Sequence, residues 1–197
     1  LDTQIFHHTD KLLMLKNPEL GFSSWCCGKP TLSAGNDKNK DKRIQQLRLY
    51  FRRSGIRGVY TLCPNCLLTL NQLGFVEALS AWPLLSLHYR NKMVPSKVFT
   101  DNYLLHDPCV SRKDTDSQQS VRTLLTESSI NWKEFPHSRS HTLCCGRKDM
   151  LFLTNPEIPK KMLHTRLYES ANTPIITYCE SCAEAFRVGG SKAYHLL

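Results

Sequence analysis

The sequence predicts an α/β protein made of two similar repeats, each a small parallel-sheet unit, related by internal duplication. Three observations predict it. First, a vicinal cysteine pair followed by glycine leads to a C-x-x-C about 35 residues later, and does so twice. Cys26-Cys27-Gly28 runs to Cys63-Pro64-Asn65-Cys66, and Cys144-Cys145-Gly146 runs to Cys179-Glu180-Ser181-Cys182. Second, the copies hold nearly one offset. The vicinal pairs stand 118 residues apart and the C-x-x-C pairs 116 apart, and Arg48-Leu49-Tyr50 recurs 118 residues on as Arg166-Leu167-Tyr168. An internal repeat requires this of residues that have no metal chemistry. Third, each C-x-x-C follows a short apolar run, Gly58-Val59-Tyr60-Thr61-Leu62 or Pro174-Ile175-Ile176-Thr177-Tyr178, which a helical pattern precedes. Alternating helix and strand points to a largely parallel sheet, whose sites form beyond the carboxyl ends of the strands.

Along the chain, the polar residues 31–42 read as a loop leading into a helix. That helix has Ile44, Leu47 and Phe51 on one face and Arg43, Arg48, Arg52 and Arg53 elsewhere, and Ser54-Gly55 ends it with a glycine suited to a left-handed cap. The strand at 58–62 delivers Cys63, and Pro64 suits the first turn of a helix running through Leu67, Leu68 and Leu70 to Gly74. The segment Lys92 to Ser96, with Pro95, has linker character and divides the chain into a first repeat, residues 1–95, and a second, residues 96–197. The second repeat opens with a strand over Asn102 to His106 ending at Asp107-Pro108-Cys109, followed by a helix from Asp116 to Leu125. A later helix, with Asn155 as N-cap and Pro156 at its first position, runs to about Ser170 before the strand that leads to Cys179. The offset places a counterpart of Cys109 about ten positions before Leu1, so the first repeat is expected to be truncated and to lack one ligand.

Hydrophobic content of 41% and charged content of 22% are ordinary for a soluble globular protein, and the longest apolar run, Ala81 to Leu87, is far short of the ~20 residues that cross a bilayer. The first segment, with Asp2, His7, His8, Asp10 and Lys11, lacks a signal-peptide layout. Abundant cysteine without such a signal points to a reducing, cytoplasmic setting, where thiols serve metals or catalysis rather than disulfides. The net charge of +9 concentrates in Lys38 to Arg57, read as a solvated helix face or a docking surface for an acidic redox partner. Nine thiolates and two clusters of roughly 2+ each would lower the balance to about +4. No nucleic-acid partner is expected, since aromatic and basic residues do not interleave.

Thiolate is the soft ligand that iron–sulfur clusters and zinc prefer, and a C-x-x-C brings two sulfurs to one centre. Vicinal cysteines are poor disulfide partners, because their Cα atoms lie about 3.8 Å apart, inside the ~4.4 Å lower bound of disulfides. Two adjacent sulfurs can instead serve neighbouring metals. Five cysteines in the second copy exceed the four that tetrahedral zinc or an ordinary cubane takes, which leaves an unusual cluster or one free reactive thiol. Cys63-Pro64-Asn65-Cys66 alone also suits a thioredoxin-like dithiol, which the duplicated C-C-G leaves unexplained. His106, His137 and His141 are candidate proton donors to a thiolate leaving group, or hydrogen-bond partners of the site. Trp25 is expected to pack over the first set and shield it.

The order of one cysteine, then C-C-G, then C-x-x-C resembles the CCG cysteine-rich domain found in heterodisulfide reductase. Similar domains occur in the iron–sulfur subunits of glycolate oxidase, in lactate-utilisation proteins and in anaerobic glycerol-3-phosphate dehydrogenase. His106-Asp107-Pro108-Cys109 is similar to the strand-end motif of these proteins. The resemblance implies a noncubane [4Fe–4S] cluster on Cys109, Cys144, Cys145, Cys179 and Cys182. A second cluster would sit on Cys26, Cys27, Cys63 and Cys66 with its fifth ligand upstream, and zinc is possible in one of the two sites. It further implies an oxidoreductase or an electron-transfer subunit, served by a flavoprotein or ferredoxin-like partner or reducing a disulfide. This chain departs from the pattern in two places. Arg147-Lys148-Asp149 stands where many relatives carry glycines, and Cys179-Glu180-Ser181-Cys182 lacks the proline of Cys63-Pro64-Asn65-Cys66. The alternative function is a non-enzymatic, zinc-binding interaction module on the same fold.

Overall fold

The computed structural model describes residues 21, 23–35, 37–89 and 102–197. The expected linker at 92–96 and the opening segment 1–20 lie outside the described residues.

Among the described residues the first part contains α1 (Lys29–Ser33), α2 (Asp37–Ser54), β1 (Gly58–Thr61), α3 (Pro64–Leu73), β2 (Glu77–Ser80) and α4 (Ala81–Tyr89). The stretch 31–42 is therefore not the expected loop, because α1 reaches Ser33 and α2 already begins at Asp37. Lysine is a good helix former, and Asp37 in the first turn complements the positive end of the helix. Polarity there marks an exposed helical face. Leu47 and Phe51 of α2 are buried as expected, and Gly55 follows the helix with φ +66°. Strands β1 and β2 pair in parallel, Gly58 opposite Glu77 through Thr61 opposite Ser80. A core of Cys27, Leu47, Phe51, Leu70, Val76 and Ala78 holds α2 and α3 against them.

The second part contains β3 (Tyr103–His106), α5 (Thr115–Glu127), β4 (Trp132–Glu134), α6 (Leu151–Thr154), α7 (Glu157–Ser170), β5 (Ile175–Thr177), α8 (Glu180–Val188) and β6 (Ala193–His195). Its sheet is wholly parallel, in the order β4-β3-β5-β6. Asp114 caps α5 by accepting from the Ser117 N–H at 3.1 Å. Helix α7 starts one residue later than expected, with Pro156 in the cap position. Asn155 instead closes α6, its N–H bonded to the Leu151 carbonyl, so its backbone serves the preceding turn.

Both faces of this sheet are covered, as parallel strands require. Tyr103, Leu105 and Ile176 face a core with Val121, Leu124 and Leu125 of α5, while Ile175 and Leu104 face Phe135, Ala185 and Phe186. Trp82 and Leu85 of α4 also belong to the α5 core. The Trp82 ring meets Tyr178 edge-on at 5.7 Å, and its Nε1–H donates to the Leu62 carbonyl at 3.1 Å. The order α2-β1-α3-β2 recurs as α7-β5-α8-β6, so the chain consists of two similar α/β units with parallel sheets.

Candidate metal centre

The same two local devices present the cysteines in each copy. Cys63 and Cys179 are the extended N-cap residues of α3 and α8, which puts Cys66 and Cys182 in the first turn, where the helix dipole favours thiolate. In each C-C-G the glycine is left-handed, with φ +83° at Gly28 and +91° at Gly146. Each glycine N–H donates to the sulfur two residues back, Gly28 to Cys26 at 3.4 Å and Gly146 to Cys144 at 3.3 Å. The copies differ in what surrounds the glycine. A Cβ at Gly146 would lie 2.6 Å from the Pro159 carbonyl oxygen of α7, whereas one at Gly28 would meet the flexible Arg43 side chain at 2.9 Å. Gly146→Ala is therefore expected to cost about 2–5 kcal/mol, from the left-handed strain plus overpacking. Gly28→Ala should cost only about 1–2 kcal/mol. Urea midpoints of the two variants check the order.

All nine cysteines are free thiols. The second set forms a continuous line of sulfurs: Cys109 contacts Cys144, Cys144 contacts Cys145, Cys145 contacts Cys182 at 3.2 Å, and Cys182 contacts Cys179. Hydrogen bonds from Cys109 and then Cys145 pull the Cys144 thiol down to about 2. The same sharing pushes Cys109 and Cys182 up, and Cys145 up to about 12. One thiolate thus sits among protonated neighbours, whose protons a metal must displace. In the first set Cys66 donates to Cys27 and Cys63, lowering them to about 6 and about 7 while its own thiol is raised. Three of the set's four sulfurs, those of Cys27, Cys63 and Cys66, are thus joined, and the fourth residue, Cys26, is exposed.

Asp107 pins three of the cysteine loops together. It is completely buried and accepts from Arg122 at 3.0 Å and 2.7 Å, from the Tyr178 hydroxyl at 3.0 Å, and from the Arg139 N–H at 2.7 Å. Its carbonyl accepts from Thr142 Oγ1 at 2.7 Å. Cys109 lies two residues after Asp107, Cys144 two after Thr142, and Cys179 directly after Tyr178, so these bonds fix where the chain enters the site. Burial alone would raise the Asp107 carboxyl, but the Arg122 guanidinium, with the Arg139 N–H and Tyr178, holds it below the usual range.

His106, at the end of β3, is also fully buried. Its Nδ1 lies 2.9 Å from Nη2 of Arg166, and its ring packs edge-on to Phe186 and Phe135. Burial, then the Arg166 charge, depresses its pKa to about 3, so it is neutral at physiological pH. A ring nitrogen of His106 and the sulfurs of Cys145 and Cys182 all lie within 4.8 Å of one another. Arg166 is completely buried over the Phe135 ring and pairs with Glu169. His137 and His141 are exposed, and His137 bonds to Glu169 at 2.5 Å. Trp25 does not shield the first set: it is half exposed, stacked on Tyr50 at 4.5 Å, because the α2 surface offers it an aromatic face.

Asp107, Arg122, Arg166 and Tyr178 are the residues that sequence reasoning missed. The strand-end position of Asp107 and the place of Tyr178 directly before Cys179 were the available signals. The repeated Arg-Leu-Tyr was misleading about surroundings, since Arg166 is buried against His106 while Arg48 is exposed beside Phe75. One small cavity is lined by Cys109, Cys145, Cys179 and Cys182, with Asn65 of the first copy as another wall. Asn65 Nδ2 lies 3.9 Å from Cys179 Sγ.

Clustered soft sulfur donors at strand ends define a class of protein suited to holding a metal through cysteine. A family model described as the CCG cysteine-rich domain matches the chain twice, at residues 3–71 and 103–187. The chain belongs to the CCG cysteine-rich domain family. A search of curated proteins returned no match.

Proposed function

We propose that the chain is an iron–sulfur redox protein of the heterodisulfide reductase-like kind, with Cys109, Cys144, Cys145, Cys179 and Cys182 as the ligands of one [4Fe–4S] cluster. The observation that carries this reading is the unbroken line of five sulfurs. Five thiol ligands are one more than tetrahedral zinc accepts, and the vicinal pair offers two sulfurs to neighbouring metals. Cys26, Cys27, Cys63 and Cys66 are the proposed ligands of a second centre.

A bound cluster would supply reversible one-electron transfer. The chain itself holds the thiols convergent and keeps water away, with Cys145, Cys179 and Cys182 all buried. Reduction of a disulfide substrate needs two electrons and two protons and releases two thiols. We assign the electrons to a flavoprotein or ferredoxin-like partner in the cytoplasm, with the basic exposed face of α2 as a surface for an acidic partner. Among the described residues no helix is long and apolar enough to cross a membrane.

A second reading, a zinc-binding interaction module, is favoured by one observation. His106, Cys145 and Cys182 are grouped tightly enough to serve a single ion. Metal and acid-labile sulfide analysis of anaerobically purified protein, with a visible spectrum, separates the two. Iron, sulfide and broad visible absorption are expected; a colourless protein with stoichiometric zinc and no sulfide would end the redox reading.

A further inference from the structure

His106 is a buried group whose surroundings dictate its chemistry. An arginine guanidinium has donors only, so the ring nitrogen facing it must be an acceptor. Nη2 of Arg166 faces Nδ1 of His106 at 2.9 Å. Nδ1 is therefore unprotonated, and the proton of the neutral ring resides on Nε2. Arg166 cannot turn away, since Nη1 is bonded to the His137 carbonyl at 3.1 Å and to Glu169, and its guanidinium lies over Phe135.

Nε2 is buried and, among the described residues, has no hydrogen-bond partner. An N–H in that condition is an exception among buried polar groups and marks a place where a partner is missing. The neighbouring acceptors are sulfurs, for a ring nitrogen of His106 lies within 4.8 Å of both Cys145 and Cys182 Sγ. A thiol is a weak acceptor, whereas a thiolate is a strong one. A sulfur held as thiolate by a metal is the partner this N–H lacks.

We propose that His106 is a positioning residue of the second cysteine set, an Nε2–H donor to the sulfurs of Cys145 and Cys182 in their deprotonated, metal-bearing state, with its tautomer locked by Arg166. The inference rests on the reading of Cys145 and Cys182 as metal ligands. Hydrogen bonds of this kind fix ligand orientation and tune a centre's affinity and potential.

Two measurements test it. In the metal-free chain, long-range 15N–1H correlation of the His106 ring is expected to show the Nε2–H tautomer; an Nδ1–H ring overturns the proposal without any variant being made. The second is anaerobic Co(II) titration against a competing chelator, in a Cys66→Ser background that silences the first set. His106→Phe keeps an aromatic ring but removes both nitrogens, and is expected to bind Co(II) about 10- to 100-fold more weakly with unchanged sulfur-to-cobalt absorption at saturation. His106→Gln restores a side-chain N–H and is expected to recover most of that loss. Equal affinity of His106→Phe and the parent overturns this inference alone. So does a loss in both variants accompanied by a shift of the ligand-field bands, which would make His106 a ligand. A parent chain that binds no Co(II) at this set overturns the metal-binding reading as well.

Discussion

Cys145→Ser is expected to strip the second cysteine set of its metal and leave the first set loaded. Cys145 is the middle member of the line of sulfurs, in contact with Cys144 on one side and 3.2 Å from Cys182 on the other. It is 3% exposed, so neither water nor a surface thiol can take its place. A serine hydroxyl has nearly the same shape but is a hard donor with a far higher pKa, and it splits the remaining sulfurs into two separated pairs. The first set, where Cys66 bridges Cys27 and Cys63, does not touch it. Iron or zinc per chain, acid-labile sulfide and visible absorbance should fall by the share of one centre. Loss of both centres, or of neither, would contradict two independent sets.

Asp107→Ala is expected to be the most destabilising single change, at about 3–5 kcal/mol, because it breaks a buried ion pair by removing one partner. Arg122 is 3% exposed and would keep only Glu134, itself 37% exposed, as a counter-charge. The Tyr178 hydroxyl and the Arg139 N–H would also lose their acceptor. The pH dependence has a definite sign. The folded carboxyl is held below the ordinary value of 3.8, so its contribution is complete above about pH 4 and is lost as pH falls through the folded pKa. Urea unfolding of the metal-free protein should therefore show wild-type stability falling at acid pH, with the variant lacking that component. Equal stability of the two proteins at pH 7 would contradict the role given to Asp107.

How much of this was legible in the sequence depended on whether neighbours in space were also neighbours in the chain. The strand leading to Cys63, the proline-started helix after it and the glycine stop at Gly74 are all local, and each was readable from adjacent residues. The repeat likewise located both C-C-G turns. Asp107 was readable only as part of a motif, because its partners Arg122, Arg139 and Tyr178 lie 15, 32 and 71 residues away on other elements. Residues 31–42 misled for a different reason: the first turns of α2 are mostly exposed and polar, its buried Leu47 and Phe51 come only later, and composition alone made the stretch look like a loop. Arg48 and Arg166 show the limit of repeat arithmetic. Duplication preserved the backbone position on the long helix, but only Arg166 has a buried histidine against it.

The seating of Trp82 has a consequence for how such a duplicated chain can change over evolutionary time. Its ring arises just after the sheet of the first copy yet fills the interior of the second, and Asn65, inside the first C-x-x-C, forms part of the wall beside Cys179. A gene for residues 96–197 alone would encode a sheet with a hole where an indole belongs and a sulfur set with one side open to water. The two copies began as equivalents, but each substitution in one is now filtered by the fit of the other. They are inherited as one unit and cannot be traded as two.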